Sequence, residues 1–459
     1  MLKRGVLRRL ENLRRERITL GVTGFSRSGK TVFIGALAQA LLTADAWTTK
    51  RGQGPLAQFG PFERGEYRCA EIRDDLYPEL PHYPFRRVRD TLAGRDARWP
   101  EATEGVSHLV LDLEYSSQRF PKGIRHLQLE LVDYPGEWLM DLSMLDISYD
   151  HWSEKMLKLT RKGRRQEWSE EYRRLLQEIP PGRAFDEELV TRLTESWAAY
   201  LTQAASAGYT LNQPGRLLRP DTLRHSPMLR LVPLPEGLRY GPLGRGMVKR
   251  FKQYKNRVIR PFYRHTFSKM DRQIVLVDLL RMLQLGEDAF NEMVAAYADT
   301  LHSFNYGKGG VLSWLTGART SHLLFAATKA DHVVRGDRAN LEQMVRKILK
   351  LVDDHNHLQA GTLHHDVLAL ASICATEDRR TTRPPVREIL YGRPDGSDGA
   401  AAYDPGGIPL DMPPDWSQLH FQFMNFQPDA TLLSEPLYRG FPALNLGKAL
   451  DFLIGGDFR

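Results

Sequence analysis

The spacing of apolar and polar residues changes period repeatedly along the chain. The changes mark an alternating α/β domain interrupted by long insertions. Ile18-Thr19-Leu20-Gly21-Val22-Thr23 predicts a short buried strand. From Val32 to Leu42, Phe33, Ala36, Leu37 and Ala40 share one stripe, which predicts a helix. Ser107 to Tyr115 alternates through Leu109, Leu111 and Leu113, and His126 to Asp133 alternates through Leu127, Leu129 and Leu131. The connection between them is short, so they are expected to pair as an antiparallel hairpin. Gln273 to Leu280, Ser321 to Thr328 and Asp366 to Ile373 are near-continuous apolar runs, the pattern of parallel strands covered on both faces. Glu287 to Ser303, Ala339 to Asp353 and a closing stretch from Leu444 to Ile454 carry helical spacing.

The interruptions are as informative as the elements. Residues 43–106 lack strand alternation and are too long for a loop, so they read as a helical insertion. A larger helical insertion spans 139–270, with Leu189, Leu193, Trp197, Tyr200 and Leu201 on one stripe. Residues 379–443 are rich in Pro and Gly and read as an irregular excursion with one strand, Leu419 to Phe423. The domain pieces are then 18–42, 107–138, 271–378 and 444–459, preceded by a basic amphipathic stretch at 1–17.

Composition narrows the class. Of the 459 residues, 42 % are apolar, enough for a substantial core. No run of 18 apolar residues is present and residues 1–17 lack an apolar signal region, so a cytoplasmic chain is expected. Cys69 and Cys374 are the only cysteines and stand far apart, which excludes a disulfide framework or a cysteine zinc site. The net charge of +8 permits an anionic partner without requiring one. Gly244 to Arg264 holds eight Lys or Arg with Phe251, Tyr254, Phe262 and Tyr263 interleaved, a pattern compatible with anionic lipid or nucleic acid but also with an ordinary packed helix.

Candidate chemistry begins directly after the first strand. Gly24-Phe25-Ser26-Arg27-Ser28-Gly29-Lys30-Thr31 fits G-x-x-x-x-G-K-[ST], placed between a strand and a helix. Such a loop turns the backbone N–H groups of residues such as Ser26, Arg27, Ser28, Gly29 and Val32 toward phosphate oxygens, at a helix N-terminus that favours negative charge. Lys30 is expected to reach the β- and γ-phosphates, and the Thr31 hydroxyl to ligate Mg2+. The second hairpin strand runs into Asp133-Tyr134-Pro135-Gly136-Glu137. At the carboxyl end of a strand, Asp133 would hold magnesium and the Gly136 N–H would meet the γ-phosphate. A later strand ends in Thr328-Lys329-Ala330-Asp331-His332, and the next in Cys374-Ala375-Thr376. Asp331 can accept from guanine N1–H and the 2-amino group, which adenine does not offer in that arrangement. The Lys329 stem would cover one face of the base, and the Ala375 N–H would donate to guanine O6.

This ordered set resembles the GTPase class of phosphate-loop proteins. Gly24 to Thr31, Val132-Asp-Tyr-Pro-Gly-Glu-Trp-Leu139 and Ala327-Thr-Lys-Ala-Asp331 are similar to the YcjX-like family of bacterial stress-associated GTPases. The resemblance covers nearly the whole chain. It implies GTP/GDP and Mg2+ as ligands and action in the cytoplasm, beside a membrane-protein partner. With the strand pattern above, the expected fold is a Ras-like α/β domain with a six-stranded mixed sheet, and the basic 1–17 stretch suggests contact with an anionic membrane surface.

It also implies a switch threonine closing over magnesium, and Thr103 holds the expected place. Gα subunits carry a catalytic arginine just before that threonine, which makes Arg98 or Arg95 the candidate here. Glu137 stands where Ras and Gα have glutamine, so hydrolysis is expected to be slow. Segments 98–106 and 134–145 are the expected switches. Two other readings remain open at this level. One is a membrane- or nucleic-acid-binding module using 1–17 and 244–264. The other is an ATP-using phosphotransferase.

Overall fold

The computed structural model describes residues 16–25, 27–93, 96–101, 103–117, 122–304, 320–356, 364–413, 415–428 and 439–458. The stretch 1–15, Ser26 and Arg95 lie outside the described residues.

A seven-stranded sheet organises the chain. In sequence order its strands are β1 (Glu16–Gly24), β2 (Tyr67–Ile72), β3 (Ser107–Ser117), β4 (Gly123–Asp133), β5 (Arg272–Val277), β6 (His322–Ala327) and β7 (His364–Ala369). Their spatial order is β2-β3-β4-β1-β5-β6-β7. The expected hairpin is present, with Leu111 opposite Leu129 in the antiparallel β3–β4 pair. β4 pairs parallel with β1, and β5, β6 and β7 continue in parallel. Only β3 therefore runs against the rest.

The seventh strand corrects the expectation of six. β2 lies inside the 43–106 insertion and pairs antiparallel with β3. It escapes pattern recognition because an edge strand faces solvent: Arg68, Cys69 and Glu71 are exposed. That insertion is also less helical than expected, with one nine-residue helix, Phe85–Ala93, as its main helical part.

The pleat divides alternate residues between two cores. Ile18, Leu20, Val22, Ile274 and Leu276 face one side, packed under α1 (Lys30–Leu42) and the C-terminal helix Leu446–Ile454. Val132, Val275, Val277, Leu323 and Phe325 face the other side and belong to one continuous core with the 139–270 insertion. That insertion is helical, as expected. Its longest helix, Glu187–Ser206, buries Leu193, Trp197, Tyr200 and Leu201. A buried ion pair, Arg165 to Glu292 at 2.7 Å, ties the insertion to the helix Glu287–Phe304 between β5 and β6.

The 379–443 excursion is more ordered than its composition suggests. β8 (Thr376–Arg380), β9 (Glu388–Pro394), β10 (Ala401–Tyr403) and β11 (Phe426–Gln427) form a second small sheet. Leu419 to Phe423, expected as a strand, joins no ladder. Its alternation reflects burial of Phe421 and Phe423 instead.

Candidate functional site

The carboxyl ends of β1, β4, β6 and β7 open on one cleft of about 690 Å3, within the usual range of about 300–1,000 Å3 for ligand sites. Residues 27–32 form its floor. Gly29 sits in the left-handed region at φ 93° and starts α1, a turn that a side chain would strain. The Lys30 ammonium folds back over the loop and donates to the carbonyls of Gly24 at 2.8 Å and Phe25 at 3.3 Å. Burial lowers its pKa, and the nearby charges of Glu137 and Asp133 oppose that shift.

Three oxygen-bearing side chains from separate segments meet beside Lys30. Thr103 Oγ1 lies 3.0 Å from Thr31 Oγ1 and donates to Asp133 Oδ2 at 2.7 Å. Thr31 reaches the same carboxylate oxygen at 3.4 Å. Burial pushes the Asp133 carboxyl up, against the pull of Lys30 and the two hydroxyls. Its other oxygen, Oδ1, is buried without a hydrogen-bond partner. Hard oxygens plus one unmatched carboxylate oxygen suit a magnesium ion that keeps several of its waters.

Gly136 is pressed against the phosphate loop. A Cβ there would come 1.9 Å from the Gly24 carbonyl oxygen, so space and not φ requires glycine. Glu137 follows at the start of α2 (Glu137–Leu142) and lines the cleft.

The far end of the cleft is built on β6. Lys329 adopts φ 61° and its ammonium pairs with Asp278 at 2.6 Å, over the Phe423 ring. Asp331 is buried and lines the cleft, with His332 Nδ1 at 3.1 Å from its Oδ1. Burial would raise its pKa, but His332 and the Ala375 amide outweigh that and hold it low. His332 stacks on Phe423 at 5.3 Å.

Two expected contacts shift. The Ala375 amide is spent on Asp331 Oδ2 at 2.8 Å, and the Cys374 amide donates to the Pro442 carbonyl at 2.7 Å. Neither residue lines the cleft, because the chain leaves it sooner than the C-A-T spelling suggests. Ala371, Ser372 and Ile373 line it instead. Arg98 is exposed and is not part of the lining. Arg219, from the insertion, and Arg281 line the phosphate end. Trp99 adds an aromatic wall, its indole donating to the Phe426 carbonyl at 2.8 Å. No motif announces these residues.

The aromatics of the basic helix are spent on packing. Phe251, Tyr254, Phe262 and Tyr263 are all buried, so none is free to stack on a base. Arg245, Lys249, Lys252 and Arg257 line an open groove elsewhere on the surface.

Residues 18–458 match the YcjX-like family, DUF463. The chain belongs to the YcjX-like family. It is similar to the "Ras-like GTPase YcjX" of Escherichia coli strain K12, 34 % identical, with 100 % of this chain and 98 % of that protein covered. It is similar also to the "Ras-like GTPase YcjX" of Shewanella oneidensis, 30 % identical, with 95 % of this chain and 94 % of the relative covered. Among the described residues no helix is long and apolar enough to cross a membrane.

Proposed function

We propose that this chain binds guanine nucleotide with magnesium and hydrolyses GTP slowly, as a nucleotide-dependent switch. The observation that carries the reading is the meeting of Thr31, Thr103 and Asp133 beside Lys30, with Asp133 Oδ1 unmatched. Magnesium held there offsets charge on the β- and γ-phosphates. The buried Asp331, held ionised and lining the cleft, supports a choice of guanine, whose N1–H and 2-amino group can donate to it where adenine offers no such pair of donors.

The chain's own groups then divide the work. Lys30 leaves the Gly24 and Phe25 carbonyls for phosphate oxygens. The amide of Gly136, pinned against the loop, senses whether a γ-phosphate is present. Thr103 couples the 98–106 segment to the same position. Glu137 brings a second negative charge toward the γ-phosphate, which supports slow turnover. The family resemblance supports a cytoplasmic role in a bacterial stress response, near a membrane-protein partner.

The test is the affinity of the wild-type chain for GDP and ADP with magnesium, by calorimetry. A preference for GDP of 10²-fold or more, about 2.7 kcal/mol, is expected. Equal affinity for ADP would overturn the guanine assignment and move the reading to an ATP-using enzyme.

A further inference from the structure

Two arginines stand beside the phosphate loop without any motif to mark them. Arg281 donates to the Ser206 carbonyl at 3.1 Å, so part of its hydrogen-bonding capacity is already spent on the backbone. Arg219 is placed differently. It follows the short helix Gly215–Leu218, deep in the sequence of the 139–270 insertion, yet it lines the same cleft as Lys30. Its Nε lies 3.6 Å from Glu137 Oε1 and is buried with no hydrogen-bond partner. Its charge is felt at Lys30.

The segment carrying Arg219 is fastened to α2, the helix that starts at Glu137. Trp138 Nε1 donates to the Arg219 carbonyl at 2.9 Å. The Arg216 guanidinium lies 3.1 Å from the Trp138 ring centroid. The Gly215 amide donates to Asp141 Oδ1 at 2.8 Å. A Cβ on Gly215 would fall 2.0 Å from the Glu137 carbonyl oxygen, so the two segments touch backbone to backbone. A guanidinium on a segment fastened this way, lining the cleft beside the phosphate loop with its Nε unmatched, suits a group that waits for an anion.

We propose that Arg219 is the catalytic arginine of GTP hydrolysis, supplied in cis by the insertion and not by the segment before Thr103. This rests on the GTPase reading above. Before the γ-phosphate arrives, Glu137 holds the guanidinium. When it arrives, Arg219 turns its N–H groups to γ-phosphoryl oxygens while staying beside Glu137, and so offsets the repulsion between Glu137 and the phosphate. The water oxygen then bonds to the γ-phosphorus. The bond from that phosphorus to the β–γ bridging oxygen breaks, and its electron pair stays on GDP. Of the two water protons, one remains on inorganic phosphate and the other passes to solvent. The planar fork of arginine spans two phosphoryl oxygens as negative charge spreads over them.

Single-turnover GTP hydrolysis and binding of GDP with aluminium fluoride test this on the full chain. Wild type is compared with Arg219→Ala, Arg219→Lys and Arg281→Ala. Arg219→Ala is expected to slow hydrolysis by about 10³-fold and to lose aluminium fluoride binding, while GDP affinity holds. Arg219→Lys is expected to stay closer to the alanine variant, because one ammonium does not reproduce the fork. An unchanged rate in Arg219→Ala, or a loss confined to Arg281→Ala, overturns the proposal. So does loss of GDP binding in both Arg219 variants, which would make the residue structural. If wild type fails to bind GTP at all, the parent reading fails.

Discussion

The hydroxyls of Thr31 and Thr103 stand 3.0 Å apart across 72 residues of chain, and both contact the same oxygen of Asp133. Thr31 is fixed by the first turn of α1, whereas Thr103 lies in a segment without regular structure. One partner stands on a helix and the other in irregular chain, the asymmetry that the proposed nucleotide-dependent contact would use.

Thr103→Ala is therefore expected to weaken GTP more than GDP. Removing one hydrogen bond to a charged group costs about 1.5–3 kcal/mol, roughly tenfold to a hundredfold in affinity. Titration with GDP and a non-hydrolysable GTP analogue checks this. Equal weakening of both would show that Thr103 only supports the fold.

Asp331→Asn replaces an acceptor-only carboxylate with an amide that presents a donor. Guanine N1–H then meets N–H, whereas xanthine offers a carbonyl where guanine has its amine. GDP affinity is expected to drop by about 10²-fold and XDP affinity to rise. Parallel titrations with the two diphosphates decide it; an unchanged preference for GDP would place base recognition elsewhere.

Gly136→Ala puts a methyl group 1.9 Å from a backbone oxygen that no rotamer change can move. Overpacking of this kind costs about 1–3 kcal/mol. Lower stability in urea, together with weakened nucleotide binding, is the expected result. A variant as stable and as tight as wild type would mean that the two segments separate freely.

Stability should also depend on pH through Asp141. Burial pushes its carboxyl up to about 6, against hydrogen bonds from Tyr254 and the Gly215 amide. The native group keeps its proton between about pH 4 and 6, where the unfolded chain has released it. Its contribution to stability therefore falls as pH rises through that window and levels off above it, by about 3 kcal/mol. Asp141→Asn preserves the shape and removes the titration. Urea unfolding at pH 4.5 and 7 samples most of that window, so the difference between the two pH values should shift by about 2 kcal/mol in the variant.

What the sequence made legible was local. Strand, glycine loop and helix at 18–42 are contiguous, and Asp133 and Asp331 follow directly from apolar runs, so their places were readable. Thr103 was named by its distance from a strand, and it lies beside Thr31 and Asp133. The misses came from features that only pairing or packing creates. Thr376–Arg380 is nearly all charged and becomes a strand because Glu388–Pro394 lies beside it. Tyr67–Ile72 fully buries only Tyr67, too little to reveal it. Arg219 sits 189 positions after Lys30 in a helical insertion, and nothing in its neighbours' spelling says that the insertion brings it to the cleft beside residues 27–32. The C-A-T placement erred by a few residues, the scale on which a loop after a strand is hardest to read.

The continuous core beneath the sheet has a consequence for how the molecule opens. Trp152 and Trp197 of the insertion lie in the same apolar body as Val275 and Phe325 of the strands, and Arg165 is locked to Glu292 across the join. Two halves welded in this way do not swing apart like the shells of a clam. If the cleft holds nucleotide as proposed, exchange is expected to pass through its rim, where Thr103 and Phe423 stand. Heat should melt the whole body in a single cooperative step, with no separate transition for the insertion.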